Sequence, residues 1–152
     1  MNNKDSTNLF FETLSGTVVT EQIDCNGHLN ISEYAKIIDL ATTNFVTLSK
    51  INSLMESETQ SFVAARVFYN HYRELLIEDS WRINSGILKL SKEGFTLLHI
   101  IFEDSNRIAK IYIKCVFFDK LLRKKAQVSQ AQLDSINLTF IPGIEDPFEF
   151  KY

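Results

Sequence analysis

The residues best suited to chemistry lie in one short polar stretch, residues 24–30, which reads DCNGHLN. An apolar helical pattern over 31–48 follows at once; Asn30 is a good N-cap for it, and Glu33 completes a capping-box pattern. The first turn of a helix offers unpaired backbone N–H groups and the positive end of the helix dipole, here beside Asp24. A carboxylate next to such N–H groups suits a reaction in which a carbonyl becomes an oxyanion.

The helix behind this turn is predicted to be largely buried. Its polar positions fill only a narrow strip, so we expect other elements to wrap it on several sides. Because the downstream segments have strand character, the predicted wrapper is a curved sheet. The apolar residues at helical spacing are Tyr34, Ile37, Ile38, Ala41, Phe45 and Leu48.

The remaining elements are predicted to be mostly strands. The apolar triplet at 9–11 favours a short edge element over 9–14. A stretch rich in Thr and Val, 16–23, predicts the first strand, and four further strands are predicted at 61–73, 80–90, 95–103 and 107–118. The turns at 91–94 and 104–106 are short, which favours an antiparallel meander and an α+β fold. A short helix is predicted at 129–136.

Length and composition predict one globular domain. With 152 residues and 45% hydrophobic composition, the chain has enough material for one core and too little for two. We therefore expect a single domain over 1–152, with a loose arm at 1–8 and a C-terminal extension at 129–152. The net charge of −3 gives no electrostatic case for nucleic acid or for an anionic membrane.

The compartment is expected to be the cytoplasm. Residues 1–8 are polar and lack the apolar centre of a signal peptide, and no apolar run reaches the length of a membrane span. Cys25 and Cys115 are the only cysteines in the sequence, too few for a disulfide framework or a zinc motif. No metal site and no redox cofactor is predicted.

Three segments together resemble one known family. The stretch DCNGHLN followed by Tyr34 resembles the D-x-x-G-H-x-N…Y signature of hotdog-fold acyl-CoA thioesterases of the 4-hydroxybenzoyl-CoA thioesterase type. Residues 71–74, His-Tyr-Arg-Glu, are similar to a strand end of that family, in which Tyr often precedes the basic residue; here His71 or Tyr72 takes that place, depending on register. Residues 123–125 resemble the basic cluster that trails its last strand.

The resemblance implies a hotdog fold, in which a curved antiparallel sheet wraps around one long central helix. It also implies a homodimer or a dimer of dimers (a homotetramer), with active sites at the subunit interface. The implied activity is hydrolysis of an acyl-CoA thioester to the free carboxylic acid and CoA. Coenzyme A enters as part of the substrate, and no other cofactor is expected.

The resemblance also implies roles for individual residues. Asp24 takes the catalytic place, either as the nucleophile that forms an acyl anhydride or as the general base that activates water. Oxyanion binding and substrate positioning fall to Gly27, His28, Asn30 and Ile31, the last through its backbone N–H. Contacts with the CoA phosphates fall to Arg123, Lys124 and Lys125.

Other interpretations of these residues remain open from sequence. An Asp before a capped helix often serves only to stabilise the helix dipole, and a basic run such as 123–125 is often a solvated surface. His28 can simply shape the turn, and His99, on an apolar strand face, fits a hydrogen-bonded core histidine.

Two other functions fit the same fold. One is a hotdog domain that binds an acyl-CoA or an acyl-carrier thioester without turnover. The other is a hotdog dehydratase or hydratase, although the H-x-F-P-G-type segment of those enzymes is missing from the sequence.

Overall fold

The structure, a computed structural model, describes residues 10–136 and 140–148. The predicted N-terminal arm, 1–8, lies outside the described residues. Among the described helices, none combines the length and apolar character that crossing a membrane requires. The elements in chain order are β1 (Phe11–Thr17), a 3-10 turn (Thr20–Gln22), α1 (Ile31–Ser49), a second 3-10 turn (Ile51–Leu54), β2 (Gln60–His71), β3 (Ser80–Ser91), β4 (Gly94–Glu103), β5 (Asn106–Asp119), β6 (Lys124–Lys125) and α2 (Gln130–Ser135).

One antiparallel sheet in the order β1-β3-β4-β5-β2, with β6 paired to β5, curves around α1. This is the α+β hotdog architecture expected from the sequence. The meander holds for β3, β4 and β5, which tight turns connect. The predicted meander is wrong for β2, which pairs with β5 at the far edge, so that residues 72–79 carry the chain across to β3.

The first strand lies earlier in the chain than predicted. The Thr and Val content predicted it at 16–23, but β1 is Phe11–Thr17, an edge strand that overlaps the short edge element expected at 9–14. After Thr17 the side chain of Val18 is buried, and the backbone N–H of Val18 donates to the Asp79 carbonyl at 2.9 Å. The chain then enters the 3-10 turn. Intrinsic strand propensity was therefore overridden by tertiary contacts at this point.

Helix α1 buries one face rather than most of its circumference. The residues at spacings of three and four are buried as predicted, whereas Leu48, assigned to the same stripe, is half exposed, as is Leu40. Phe45 packs its ring edge on Phe11 of β1, and the Asn44 amide donates to the Thr13 carbonyl at 2.6 Å. The sheet therefore covers one side of α1, and exposed apolar residues remain on the other side.

A buried polar network holds α1 against the centre of the sheet. His99 of β4 is fully buried, with its Nε2 2.9 Å from the Thr42 hydroxyl of α1 and its Nδ1 2.5 Å from the Ser85 hydroxyl of β3. Ser85 in turn contacts the Thr13 hydroxyl of β1 at 2.6 Å. His99 is thus a hydrogen-bonded core histidine, one of the two alternatives weighed from the sequence.

The outer face of the sheet is covered by residues 140–148, here called the C-terminal segment. Ile141 donates its N–H to the Ile87 carbonyl at 2.9 Å, and Asp146 accepts a hydrogen bond from the Thr96 hydroxyl at 2.8 Å. Strand β4 is consequently buried on both faces, which explains its nearly continuous apolar sequence. The outer cluster comprises Phe10, Leu88, Leu98, Ile100, Phe102, Tyr112, Ile141, Ile144 and Phe148.

Candidate active site

The polar turn closes as a small hairpin before α1. The Asp24 N–H donates to the His28 carbonyl at 3.0 Å, and the Gly27 N–H donates to the Asp24 carbonyl at 3.0 Å. Gly27 has φ +82°, a conformation that glycine adopts without strain. The turn therefore brings the side chains of Asp24 and His28 together at its base.

The Asp24 carboxylate is partly buried and only lightly held. One oxygen accepts the backbone N–H of Asn26 at 2.8 Å, and the other lies 3.7 Å from Nδ1 of His28. About one fifth of the Asp24 side chain is exposed, on the wall of a cleft of roughly 400 Å³. The carboxylate is thus oriented by the turn while it remains accessible from the cleft.

The helix start beside it supplies a free donor. Asn30 is the N-cap, as predicted, and its Oδ1 accepts the N–H and the hydroxyl of Ser32 at 2.9 and 3.0 Å. The Ile31 N–H has no hydrogen-bond partner within residues 10–136 and 140–148, and Ile31 also lines the cleft. Asp24 and Ile31 therefore line the same cleft, and an acidic side chain near an unpaired helix N–H is an arrangement that suits the stabilisation of an oxyanion.

The predicted capping box is wrong. Glu33 does not return to the Asn30 N–H, which donates instead to the Gln22 carbonyl at 2.9 Å. The Glu33 carboxylate pairs with Lys36 and accepts from the Gln22 amide. The carbonyl of Gln22, in the 3-10 turn before the helix, thus accepts the Asn30 N–H that the Glu33 side chain would accept in a capping box.

The opposite wall is the end of β2 and the residues after it. Residues 71–74, His-Tyr-Arg-Glu, all line the cleft with Asp24 and His28. Leu75 fixes this wall to the turn because its carbonyl accepts the Leu29 N–H at 2.8 Å. The next residue, Leu76, forms a β-bridge with His28.

Tyr34 and His71 meet inside the cleft. Their rings lie edge to face with centroids 4.7 Å apart, and the Tyr69 ring stacks on His71 at 5.9 Å. Burial, and then the negative charge of Glu74, raise the pKa of Tyr34 to about 12. Burial lowers the pKa of His71 below its usual 6.5. At neutral pH this part of the cleft therefore holds a phenol and a neutral imidazole.

The structure brings some of the predicted site residues together and leaves others apart. Asp24, His28 and Ile31 share the cleft, while Gly27 and Asn30 shape the turn and the helix start. The basic cluster, residues 123–125, follows β5 at its Asp119 end, where β5 pairs with Gln60. The cleft lies at the other end of β2, roughly 35 Å away along the strand.

Sequence reasoning did not assign residues 71–74 to the site. The signal that could have placed them was their similarity to the family's strand end, but neighbouring strand residues point to opposite faces, and the register was ambiguous. The structure resolves this ambiguity: His71 contacts Tyr34, while the Tyr72 hydroxyl accepts from Asn70 and its ring lies under Arg107.

Comparison with solved structures shows the same fold in other proteins. YbaW from Escherichia coli, a probable thioesterase, superposes with a TM-score of 0.73 at 18% identity, covering 83% of this chain and 98% of that chain. The gentisyl-coenzyme A thioesterase BH1999 gives 0.67 at 20% identity, covering 80% and 98%. SAV2348 from Staphylococcus aureus, solved in complex with CoA, gives 0.68 at 14% identity, covering 91% and 95%.

Sequence comparison defines the family. Curated protein sequences give no significant match. A family model described as the thioesterase-like superfamily matches residues 18–136, which include α1, every strand of the described sheet except β1, and every cleft residue named above. That span is well over half of the chain, and it confirms the family and the thioesterase class expected from the sequence. The protein is a member of the thioesterase-like superfamily.

Proposed function

We propose that the protein hydrolyses acyl-CoA thioesters in this cleft, with Asp24 as the catalytic carboxylate. The observation that carries the proposal is that Asp24 and Ile31, whose N–H is unpaired among the described residues, line one cleft. A thioester carbonyl needs an attacking oxygen on one side and a donor for its own oxygen on another, and these two groups meet that need. Family membership and the CoA held by a structural neighbour support the substrate class.

The reaction follows from these two groups. The thioester oxygen accepts the Ile31 N–H, which becomes a stronger hydrogen bond as negative charge develops. An oxygen of Asp24, or a water that Asp24 deprotonates, adds to the carbonyl carbon. The carbon–sulfur bond then breaks, CoA leaves as a thiolate that takes up a proton, and the nucleophilic route ends with hydrolysis of the anhydride by water. His28, 3.7 Å from the carboxylate, is a positioning residue on both routes.

The test is release of free thiol from a panel of acyl-CoAs. We expect Asp24→Ala to lower kcat by about a hundredfold or more, because the attacking or activating group is gone. Asp24→Asn keeps the shape and the contact with the Asn26 N–H but removes the charge, and it should be similarly impaired.

The matched control is Asp39→Ala, an exposed aspartate of the neighbouring helix α1. Its turnover should stay within about twofold of wild type. Equal rates for wild type and Asp24→Ala would remove Asp24 from the mechanism. Tight binding of acyl-CoA with no thiol release would favour a binding protein, and addition of water to an enoyl-CoA would favour a hydratase.

The cleft in this proposal is completed by a second copy of the chain. Strand β2 is an edge strand of twelve residues with its outer backbone groups unpaired by the described residues, and Val63, Val67 and Phe68 on it are more than 40% exposed. A long apolar edge is a template for pairing with another strand. We expect two copies to join at β2 about a two-fold axis, with the antiparallel pairing that such an axis imposes.

That pairing gives the basic cluster a place in the site. In one subunit the cluster lies at the Gln60 end of β2 and the cleft at the His71 end. Antiparallel pairing of two β2 strands sets the Gln60 end of one copy beside the His71 end of the other. We therefore propose that Arg123, Lys124 and Lys125 contact the CoA phosphates bound to the other subunit.

A further inference from the structure

We propose that His71 is a specificity-determining residue, which selects acyl groups with a hydroxyl or keto oxygen near the thioester over plain hydrocarbon acyl groups. This inference rests on the proposed thioester hydrolysis and names the class of acyl group that the cleft takes. It depends on where the structure places His71, on how its ring is held and on which of its hydrogen-bonding atoms are used.

The position of His71 is set by the sheet. It pairs with Ala109 of β5 and points to the same side as Tyr34 of α1, which it contacts. Asn70, the preceding residue of β2, is directed to the other side, where it donates to the Tyr72 hydroxyl at 2.9 Å. Among the residues of β2, His71 is therefore the one that lines the cleft with Asp24.

The ring is fixed by two aromatic neighbours. The edge-to-face contact with Tyr34 has an interplanar angle of 78°, and the stack on Tyr69 is parallel to within 1°. Such contacts restrict both the position and the tilt of the imidazole. A group held in this way loses little further freedom when it binds a ligand.

The hydrogen-bonding atoms of this ring are unused. Within the described parts of the chain, neither imidazole nitrogen of His71 has a hydrogen-bond partner, although the ring is accessible from the cleft. The lowered pKa keeps the ring neutral at pH 7, with one N–H donor and one acceptor nitrogen. The Tyr34 hydroxyl nearby likewise has no partner among the described residues and stays protonated.

These unused groups discriminate between acyl chains. A bound acyl group displaces water from the cleft, and a hydrocarbon chain leaves the imidazole without a partner, at a cost in free energy. An acyl group with a hydroxyl or keto oxygen replaces the lost water. Sites built to hydrogen-bond a substrate reject the analogue that lacks the polar atom more strongly than apolar sites reject an added one.

The experiment compares acyl-CoAs that differ by one oxygen: butyryl-CoA with hydroxybutyryl-CoA and oxobutyryl-CoA, and benzoyl-CoA with its ring-hydroxylated derivatives. For the wild type we expect kcat/KM to favour at least one oxygenated member by about tenfold or more. His71→Phe keeps a flat ring for Tyr34 and Tyr69 but removes both nitrogens. It should lose that preference through a lower kcat/KM for the oxygenated member only.

Two further variants complete the design. His71→Gln retains a donor and an acceptor and should keep part of the preference, while Asn70→Ala removes a polar group from the other side of β2 and should keep all of it. A wild type that shows no preference in any pair, or a His71→Phe variant that slows both members equally, would overturn the inference. The first of these outcomes needs only the wild type, so the inference can be overturned even if a variant does not fold. Failure of thiol release with every acyl-CoA would instead refute the proposed function itself.

Discussion

His99 is a titratable side chain enclosed between the helix and the sheet, where burial favours its neutral form and neighbouring hydroxyl groups select its tautomer. The Thr42 hydroxyl donates to the Ile38 carbonyl at 2.8 Å and therefore accepts from Nε2 of His99. Nδ1 is then the acceptor for the Ser85 hydroxyl. Each ring nitrogen therefore has a hydrogen-bond partner in the neutral form. Burial lowers the pKa of His99 to about 3.

This residue predicts a loss of stability in acid. Below pH 6.5 His99 is protonated in the unfolded chain but stays neutral in the folded chain. The free energy of unfolding therefore falls by about 1.4 kcal/mol per pH unit until the pH reaches the pKa of the folded state. The contribution is fully present above pH 6.5 and is lost as the pH drops. Between pH 7.5 and pH 5 the wild type should lose about 2 kcal/mol more than His99→Phe, which does not titrate.

Urea unfolding at several pH values provides this measurement, with the difference between the two proteins cancelling the other titrating groups. His99→Phe can differ from the wild type at neutral pH, since it changes the core; only the slope against pH tests the prediction. If the free energy of unfolding had the same pH dependence in both proteins, the folded chain would protonate His99 as readily as the unfolded chain, and the prediction would be wrong.

Single residues also show how far the sequence predicts the candidate site. Asn30 was identified correctly as the N-cap because the turn and the helix cap are local, formed by residues within a few positions of each other. His71 was left undecided against Tyr72, since one residue of register reverses the face of a strand. The partner that decides the question, Tyr34, is distant in the sequence, and no local pattern contains it.

At the scale of elements, the start of α1 is the feature on which the proposed chemistry depends. Asn30 accepts the Ser32 N–H, and the Ile31 N–H, in a residue that lines the cleft, stays unpaired among the described residues. We expect Asn30→Ala to lower the free energy of unfolding by about 1 kcal/mol, as loss of an N-cap usually does. Because the first turn then frays, kcat should also fall, while Asn30→Ser, which retains a capping oxygen, should recover both.

Thermal or urea unfolding and thiol release measure the two effects in Asn30→Ala and Asn30→Ser. A matched control is Ser129→Ala, which removes the N-cap of α2, whose hydroxyl accepts from the Gln132 N–H at 3.1 Å. That variant should lose stability without loss of kcat. If Asn30→Ala were as active as wild type, the helix start would not serve the reaction.

The elements themselves were predictable where their signals were local. The apolar pattern predicted the end of α1 to within one residue. The turns at 91–94 and 104–106 predicted the bounds of β3, β4 and β5 to within one residue as well. The first strand was misplaced since Thr and Val resemble a strand even in a 3-10 turn. The place of β2 was missed because its pairing with β5 joins residues some fifty positions apart, whereas neighbours in sequence are the usual expectation.

At the scale of the whole molecule, the separation of the basic cluster from the cleft leads to a prediction about mixed dimers. One variant carries Asp24→Ala; the other carries Arg123→Ala, Lys124→Ala and Lys125→Ala together. In a mixed dimer, one cleft has an intact Asp24 from the second chain and an intact cluster from the first. The mixed dimer should therefore recover up to about half of the wild-type kcat/KM at low CoA-ester concentration, while neither variant does so alone.

The measurement mixes the two variants under conditions that exchange subunits and then follows thiol release. The triple variant should raise KM more than it lowers kcat, since it affects phosphate contacts and leaves the reacting atoms in place. Absence of recovery after proven exchange would assign the cluster to the cleft of its own chain or to no cleft. A strictly monomeric protein in light scattering would refute the β2 pairing.

The C-terminal segment has a consequence for the association of dimers into larger oligomers. Sheets of this kind have two broad sides, and here one is occupied by the helix and the other is shielded by the chain's own tail, through Ile141, Ile144 and Phe148. Packing the outer sheet faces of two dimers together would first require displacing the C-terminal segment and breaking the hydrogen bond from the Thr96 hydroxyl to Asp146. We therefore expect that the C-terminal segment prevents two dimers from associating through the outer faces of their sheets.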